Sequence, residues 1–343
     1  MNNPAMAIPA ESLTQEEFLL EELGSYAYNP VEFVYWAFPW GEPGELEDHS
    51  GPNDFQLHIL CLVRDGLLDA TAAIRIAVTS GHGVGKSALV AWLTLYSFTT
   101  FPDTRGIITA NTENQLRTKT WAEIAKWHRL FIAKSLFEIT ATALFPADKS
   151  RRKEWRIDIV PWSETNTEAF AGLHNLGKRI FIAFDEASAI PDIIYEIMEG
   201  ATTDVNTEII WVCFGNPTKT SGRFRELFPG GRFSHRWKNL KVDSRSVPGT
   251  NRKQIDEWIK DYGIDSDFIR VRVLGEFPFR DGESFIPREL AEEASRRPIP
   301  EGVNPARVVL GVDVARFGKN SSVIYPRAGR DARSPPAENP PWR

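Results

Sequence analysis

The sequence predicts an α/β fold organised on a central, mostly parallel sheet, and three stretches carry that expectation. Residues 74–79 form an apolar, β-branched run that leads into the glycine-rich stretch Ser80-Gly81-His82-Gly83-Val84-Gly85-Lys86-Ser87, after which residues 88–95 continue as an apolar helix. Residues 179–184 form a second apolar run and end in the adjacent carboxylates Asp185 and Glu186. Residues 208–214 form a third, ending in Gly215-Asn216-Pro217. Buried parallel strands read as continuous apolar runs, and their carboxyl ends meet at one sheet edge, where such folds bind ligands.

The chain has 343 residues, 42% of them hydrophobic, enough for one large core and part of a second domain. A formal charge of -6 argues against a generally basic coat for nucleic acid but leaves room for a local basic groove. Cys61 and Cys213 lie in apolar runs, as reduced core thiols of a cytoplasmic protein do. No Cys or His cluster has metal-ligand spacing, residues 1–11 lack the segments of a signal peptide, and no apolar run is long enough to cross a bilayer. The expectation is a soluble cytoplasmic protein with no membrane partner.

Taken in order, residues 12–24 place Leu13, Phe18, Leu19, Leu20 and Leu23 among glutamates, the pattern of an amphipathic helix closed by Gly24. The aromatic cluster Phe33, Tyr35, Trp36, Phe38 and Trp40 reads as a packing patch in preference to a base-stacking surface. Residues 41–53 are an acidic Gly-Pro loop, and Phe55-Gln56-Leu57 opens a helix through Leu67. Residues 106–110 read as a strand followed by a helix to Leu130, with Asn111 or Thr112 as its N-cap. The basic run Lys149-Ser150-Arg151-Arg152-Lys153 reads as a solvated loop, with contact to DNA phosphates as the sharper alternative.

Strand, loop and helix in that order are the context of a phosphate-binding loop. The backbone N–H groups of Ser80, Gly81, His82, Gly83, Val84 and Gly85 are expected to turn around the phosphates of ATP, aided by the helix N-terminus. Lys86 is expected to bridge the β- and γ-phosphates and the Ser87 hydroxyl to ligate Mg²⁺. Ser80 stands where the usual pattern has Gly, an awkward place if a positive φ is required. Asp185 is expected to hold Mg²⁺ through its water shell while Glu186 polarises the attacking water. Asn216 is the candidate sensor of the γ-phosphate, against a plain Asn-Pro turn. Gln56 is the candidate for holding the adenine edge, against a surface glutamine after a helix start. Arg105 and Arg117 flank strand 106–110 as candidate cations for γ-phosphate charge, Arg117 being taken as catalytic; each also reads as an ordinary surface arginine. Gly172 and His174 read as site-lining residues or as a turn.

These residues resemble the large terminase subunit of tailed bacteriophages. The resemblance rests on residues 80–87, Thr109-Ala110-Asn111-Thr112 with Gln115, Phe170 to His174, Phe184 to Pro191, and Phe214 to Pro217. It continues through Asp265-Ser266, residues 270–278 and Gly311 to Arg316, spanning most of 30–325. It implies a P-loop NTPase of the additional-strand, catalytic-glutamate type that moves double-stranded DNA into a procapsid in the bacterial cytoplasm. The implied partners are DNA, the portal protein, the terminase small subunit and further copies in a ring. The reading in domains is a segment 1–50 packed on the motor, a motor core 51–245, a linker subdomain 246–305, the first hairpin of a ribonuclease H-like domain at 306–325, and a proline-rich, disordered tail 326–343.

In the family Asp313 ligates nuclease metal ions, and His82 occupies a place where many relatives carry Arg. A two-metal nuclease needs several converging carboxylates, whereas Lys319-Asn320 stand where relatives commonly place acids. The expectation is therefore a truncated chain without nuclease activity. A helicase- or recombinase-like P-loop ATPase, and a non-catalytic prophage remnant, are the alternatives.

Overall fold

The computed structural model describes residues 14–69, 72–162, 170, 172–279, 293–294, 296–298, 308–314 and 322–328. The chain divides into two units, Met1–Asp281 and Gly282–Arg343.

The first unit opens with α1 (Gln15–Ser25), started by a reciprocal Thr14–Glu17 capping box, and α2 (Pro30–Ala37), with Pro at its first turn and Asn29 as cap. Most of the expected packing patch forms here: Phe33 on α2 and Phe38 just after it are buried among the rings of Tyr96, Phe131 and Trp127, whereas Tyr35 is exposed. There follow α3 (Asp54–Leu67), β1 (Ile74–Ser80), α4 (Lys86–Thr99) and β2 (Arg105–Thr109). The short α5 (Glu113–Gln115) passes through a π-helical turn, Leu116–Trp121, into α6 (Ala122–Leu130). After β3 (Phe137–Ile139), β4 (Ala143–Pro146), β5 (Arg156–Ile159) and β6 (Arg179–Phe184) come α7 (Asp192–Gly200), β7 (Glu208–Gly215), α8 (Arg223–Glu226) and β8 (Lys238–Val242). The unit continues with α9 (Arg252–Tyr262) and α10 (Asp267–Ile269), the latter running into a second π-helical turn, Arg270–Leu274.

One eight-stranded sheet has the order β3-β4-β5-β2-β6-β7-β1-β8. Its pairings from β5 to β8 are parallel, and β3 and β4 add an antiparallel edge. Side chains alternate between two cores, as the strand period of two requires. On β6, Phe181 and Ala183 join one cluster and Ile180, Ile182 and Phe184 the other; on β7, Ile210, Val212 and Phe214 oppose Ile209, Trp211 and Cys213. Both faces are thus buried, which is why these strands read as unbroken apolar runs. The fully buried Arg179 opens β6 and is paired with Glu208 at 2.7 Å. It also donates to the Thr100 hydroxyl and the Ala27 carbonyl, so the buried charge has a full set of acceptors.

In the second unit, β9 (Val308–Asp313) pairs antiparallel with β10 (Val323–Ala328), placing Asp313 opposite Val323. Among the described residues no group of three or more His, Cys, Asp or Glu side chains is placed to hold a metal ion, and no helix is long and apolar enough to cross a membrane. Residues 1–13, most of the 280–305 part of the expected linker subdomain, Lys319, Asn320 and the tail beyond Ala328 lie outside the described residues.

Candidate nucleotide site

Strand β7 lies between β1 and β6, so three adjacent strand ends deliver Ser80, Asn216 and Asp185 to the same edge of the sheet. The loop after β1 turns on Gly83 (φ 76) and Gly85 (φ 89), left-handed conformations that glycine adopts without a Cβ penalty. Gly85 caps α4 without any side-chain hydrogen bond, leaving the first N–H groups of that helix for an anion.

Ser80 ends β1 wholly buried and is not among the residues with positive φ, so serine carries no strain there. Its hydroxyl accepts from Lys86 Nζ at 2.7 Å; the same ammonium reaches the Gly81 carbonyl and Asn216 Oδ1 at 3.4 Å. Asn216 Nδ2 in turn donates to the Ser80 carbonyl at 2.6 Å. Burial lowers the Lys86 pKa, opposed by the Glu186 and Asp185 carboxylates.

The loop is gripped from two further directions. Gly81 N donates to the Val242 carbonyl at 3.1 Å, His82 N to the Arg272 carbonyl at 2.8 Å, and the Ser244 hydroxyl to the His82 carbonyl at 2.7 Å. A Cβ on Gly81 would fall 2.2 Å from Ser244 Oγ and 2.4 Å from the Val273 carbonyl, so only glycine fits. On the other flank Asn53 Nδ2 donates to the Val84 carbonyl at 3.4 Å and Gln56 Nε2 to the Gly85 carbonyl at 3.0 Å. Gln56 Oε1 accepts the Asn53 N–H at 2.9 Å, completing a capping box on α3. The amide expected at an adenine edge is buried and turned instead to its own helix cap and to the loop backbone, because the cap and the Gly85 carbonyl offer partners within reach.

Asp185 is buried; its Oδ2 accepts from the Thr120 hydroxyl at 2.7 Å and its Oδ1 from the Glu186 N–H at 3.0 Å. Glu186 takes a left-handed backbone (φ 50, ψ 41), a conformation that costs a non-glycine residue about 1–3 kcal/mol. Burial raises the Glu186 pKa and Asp185 adds to the rise, while Lys86 and Lys119 oppose it.

A cleft of about 590 Å³ opens over these groups. Its walls include His82, Gln115, Lys119, Glu186, Asn216, Phe268 and Arg272. His82 is accessible to the cleft yet crowded on its inner side; desolvation lowers its pKa, and the Lys86 and Arg272 cations lower it further. A second cavity of about 290 Å³ lies against the α3 flank, lined by Asn53, Phe55, His58, Val247 and Pro248 among others. Gln115 Oε1, in the wall of the larger cleft, is buried without a hydrogen-bond partner. An uncapped helix N-terminus, a half-buried lysine, two acids on adjacent strand-end residues and an orphaned acceptor suit a nucleoside triphosphate with a divalent cation.

Of the residues singled out in the sequence, the structure gathers the 80–87 loop, Asp185, Glu186 and Asn216. It does not gather Arg117, which is exposed and paired with Glu113 at 2.9 Å and with the Ala141 carbonyl at 3.3 Å. Arg105 opens β2, so it sits at the amino-terminal edge of a parallel strand, opposite the loop, and donates to the His174 and Lys153 carbonyls. His174 precedes β6 at that same edge, bonded to Asp204 at 2.8 Å, and neither it nor Gly172 lines the cleft. Ala171 lies outside the described residues. In the basic run, Arg151 pairs with Asp103 and Arg152 with Glu138. Lys119, Thr120, Gln115 and Arg272 are the contributors that the sequence reading passed over or left without a role. The first three follow β2, and the π-helical turn at Leu116–Trp121 resets which of them face the site. Arg272 comes from the far end of the unit, and no local pattern announces it.

Fold and site together define a P-loop NTPase fold with an additional strand between the loop strand and the acidic strand, and with Glu186 directly after the buried Asp185. No family model matches the chain. The chain is similar to the probable terminase large subunit of Enterobacteria phage P7, 28% identical over 264 residues, covering 72% of this chain and 51% of that protein. It thus spans about half the length of that curated relative. Among solved structures, the large terminase of a thermophilic bacteriophage shares the fold at a TM-score of 0.51 and 13% identity, over 80% of this chain and 64% of that one. The resemblance to phage terminase large subunits read from the motifs agrees with both comparisons.

Proposed function

We propose that this chain is the ATP-hydrolysing motor subunit of a phage terminase, acting on double-stranded DNA together with a portal protein, a small subunit and further copies of itself. Residues 51–245 are its motor core, with the segment 1–50, of which 14–50 are described, belonging to that core and 246–305 as a linker subdomain. The observation that carries this reading is the convergence of Lys86, at the start of α4, with Asp185, Glu186 and Asn216 at neighbouring strand ends, in a chain similar to a probable terminase large subunit.

In this reading the N–H groups at the start of α4 and the Lys86 ammonium bind the phosphates, with the base in the cavity beside Phe55, His58 and Val247. Ser87 and Asp185 would hold Mg²⁺, which supplies charge neutralisation on the β- and γ-phosphates. Glu186 accepts a proton from the attacking water as the new oxygen–phosphorus bond forms and the bond to the bridging oxygen breaks, releasing ADP and phosphate. Its burial keeps the carboxylate basic, and Gln115 Oε1 offers that water a second acceptor. Asn216, touching both Lys86 and the end of β1, passes the loss of the γ-phosphate to the neighbouring strand.

The test is phosphate release with Mg²⁺ and ATP by the parent, Lys86→Ala and Glu186→Gln. Glu186→Gln should bind nucleotide normally and lose at least about 100-fold in turnover, and Lys86→Ala should lose both binding and turnover. If all three proteins are equally inactive, the enzyme reading fails. Duplex-stimulated hydrolysis without strand separation separates a packaging motor from a helicase.

A further inference from the structure

Segment 219–241 carries seven Lys and Arg residues against a single Glu, in a chain whose overall formal charge is -6. The structure gathers these charges on a frame. Glu199 accepts from Arg75, Arg223 and Arg236, and the Phe233 ring has the guanidinium carbons of Arg223, Arg232 and Arg236 at 3.3, 5.2 and 5.3 Å. One carboxylate shared among three guanidinium groups leaves the cluster positive. Two residues from Arg223 on α8, Arg225 lies over Phe277 and donates to the Pro229 carbonyl, while Arg232 and Lys238 are exposed; among the described residues none of these three side chains is paired with a carboxylate. The 149–153 run differs in this respect, since its arginines are neutralised by Asp103 and Glu138.

The aromatic residues interleaved with these cations are already engaged. Phe224, Phe228 and Phe277 pack on one another, Trp237 packs against Trp211, and Phe233 is covered by guanidinium groups. No large apolar side chain of 219–241 is exposed. The face therefore offers charge without a platform for unpaired bases or an anchor for lipid, which favours a duplex phosphate backbone. Arg75 is the second residue of β1 and Arg236 precedes β8, so the Glu199-centred arginines lie at the amino-terminal edge of the sheet, away from the nucleotide loop.

We propose that this face binds the phosphate backbone of duplex DNA without reading sequence, with Arg225, Arg232 and Lys238 as contact cations and Glu199 and Phe233 as their frame. The proposal rests on the DNA-motor reading above and sharpens it by naming where the duplex is held.

The experiment measures fluorescence anisotropy of a labelled mixed-sequence duplex with the full chain over a salt series. It compares the parent, Arg225→Gln/Arg232→Gln/Lys238→Gln, and a control that removes equal charge elsewhere, Arg252→Gln/Lys253→Gln/Lys260→Gln. The first variant should bind at least about tenfold more weakly at low salt and flatten the log–log salt slope by about 2–3. Its DNA-free ATP hydrolysis and melting temperature should match the parent, and a single strand of equal length should compete poorly. Parent-like binding by that variant, an equal loss in the control, or equal competition by single strands would overturn the proposal alone. A parent that hydrolyses ATP but binds no duplex would overturn both this proposal and the DNA-motor reading.

Discussion

The His82 N–H donates to the Arg272 carbonyl at 2.8 Å, so the 80–87 loop is bonded directly to a turn whose Arg272 side chain also lines the cleft. One residue therefore ties the loop through its backbone and presents a cation to the cleft through its side chain. Its guanidinium lies 4.3 Å from the Phe268 ring centre, and among the described residues no carboxylate neutralises it.

Arg272 is accordingly the arginine that should matter for hydrolysis. Replacing it with Ala leaves its backbone bond to His82 in place and removes the guanidinium with its contact to Phe268, so the expected loss in turnover is on the order of 100-fold, with Arg272→Lys recovering part of it. Arg117→Ala should stay close to the parent, because Arg117 is a solvent-exposed partner of Glu113 and such pairs contribute little. Steady-state ATPase rates decide the matter; a collapse in Arg117→Ala with a normal Arg272→Ala would reverse the assignment.

Gln56→Ala should act on the loop and on the start of α3 together. It removes the hydrogen bond to the Gly85 carbonyl and one half of the capping box, a loss of about 1–3 kcal/mol in urea unfolding. Nucleotide affinity should fall alike for ATP and GTP, since a displaced loop weakens phosphate binding whatever the base. An adenine-reading amide would instead lose ATP affinity selectively, and competition binding with the two nucleotides tells these apart.

His82 should remain neutral at pH 7. Burial and the Lys86 and Arg272 cations depress its folded-state pKa below the ordinary value of 6.5. A depressed pKa contributes stability that is present above the unfolded value and is lost as pH falls through the folded one. An imidazole titration followed by NMR should find its midpoint below 6.5, moving upward in Arg272→Ala as one of the two cations is removed. A midpoint at or above the ordinary value would mean that the ring is not crowded by these groups.

Much of the site was legible in the sequence because its parts are local. A run of alternating faces buried on both sides must be apolar throughout, so β1, β6 and β7 announce themselves, and each carries its polar residue at its own carboxyl end. Arg105 and His174 were misplaced for a related reason: both are near a strand in sequence, but they precede their strands and so fall at the opposite edge.

The sequence by itself determined the phosphate loop, the Asp185-Glu186 pair and the Asn216 strand end, since strand, turn and helix propensities act over a few neighbouring residues. The tertiary structure alone decided that β7 comes between the loop strand and the acidic strand, that Gln56 serves the loop backbone, and that Arg272 faces the cleft while Arg117 faces solvent. It also decided that the arginines of 149–153 each have their own carboxylate, whereas those around Phe233 have Glu199 alone to share. Each of these depends on which distant carboxylate or carbonyl lies within hydrogen-bond reach, a distance that chain spacing does not contain.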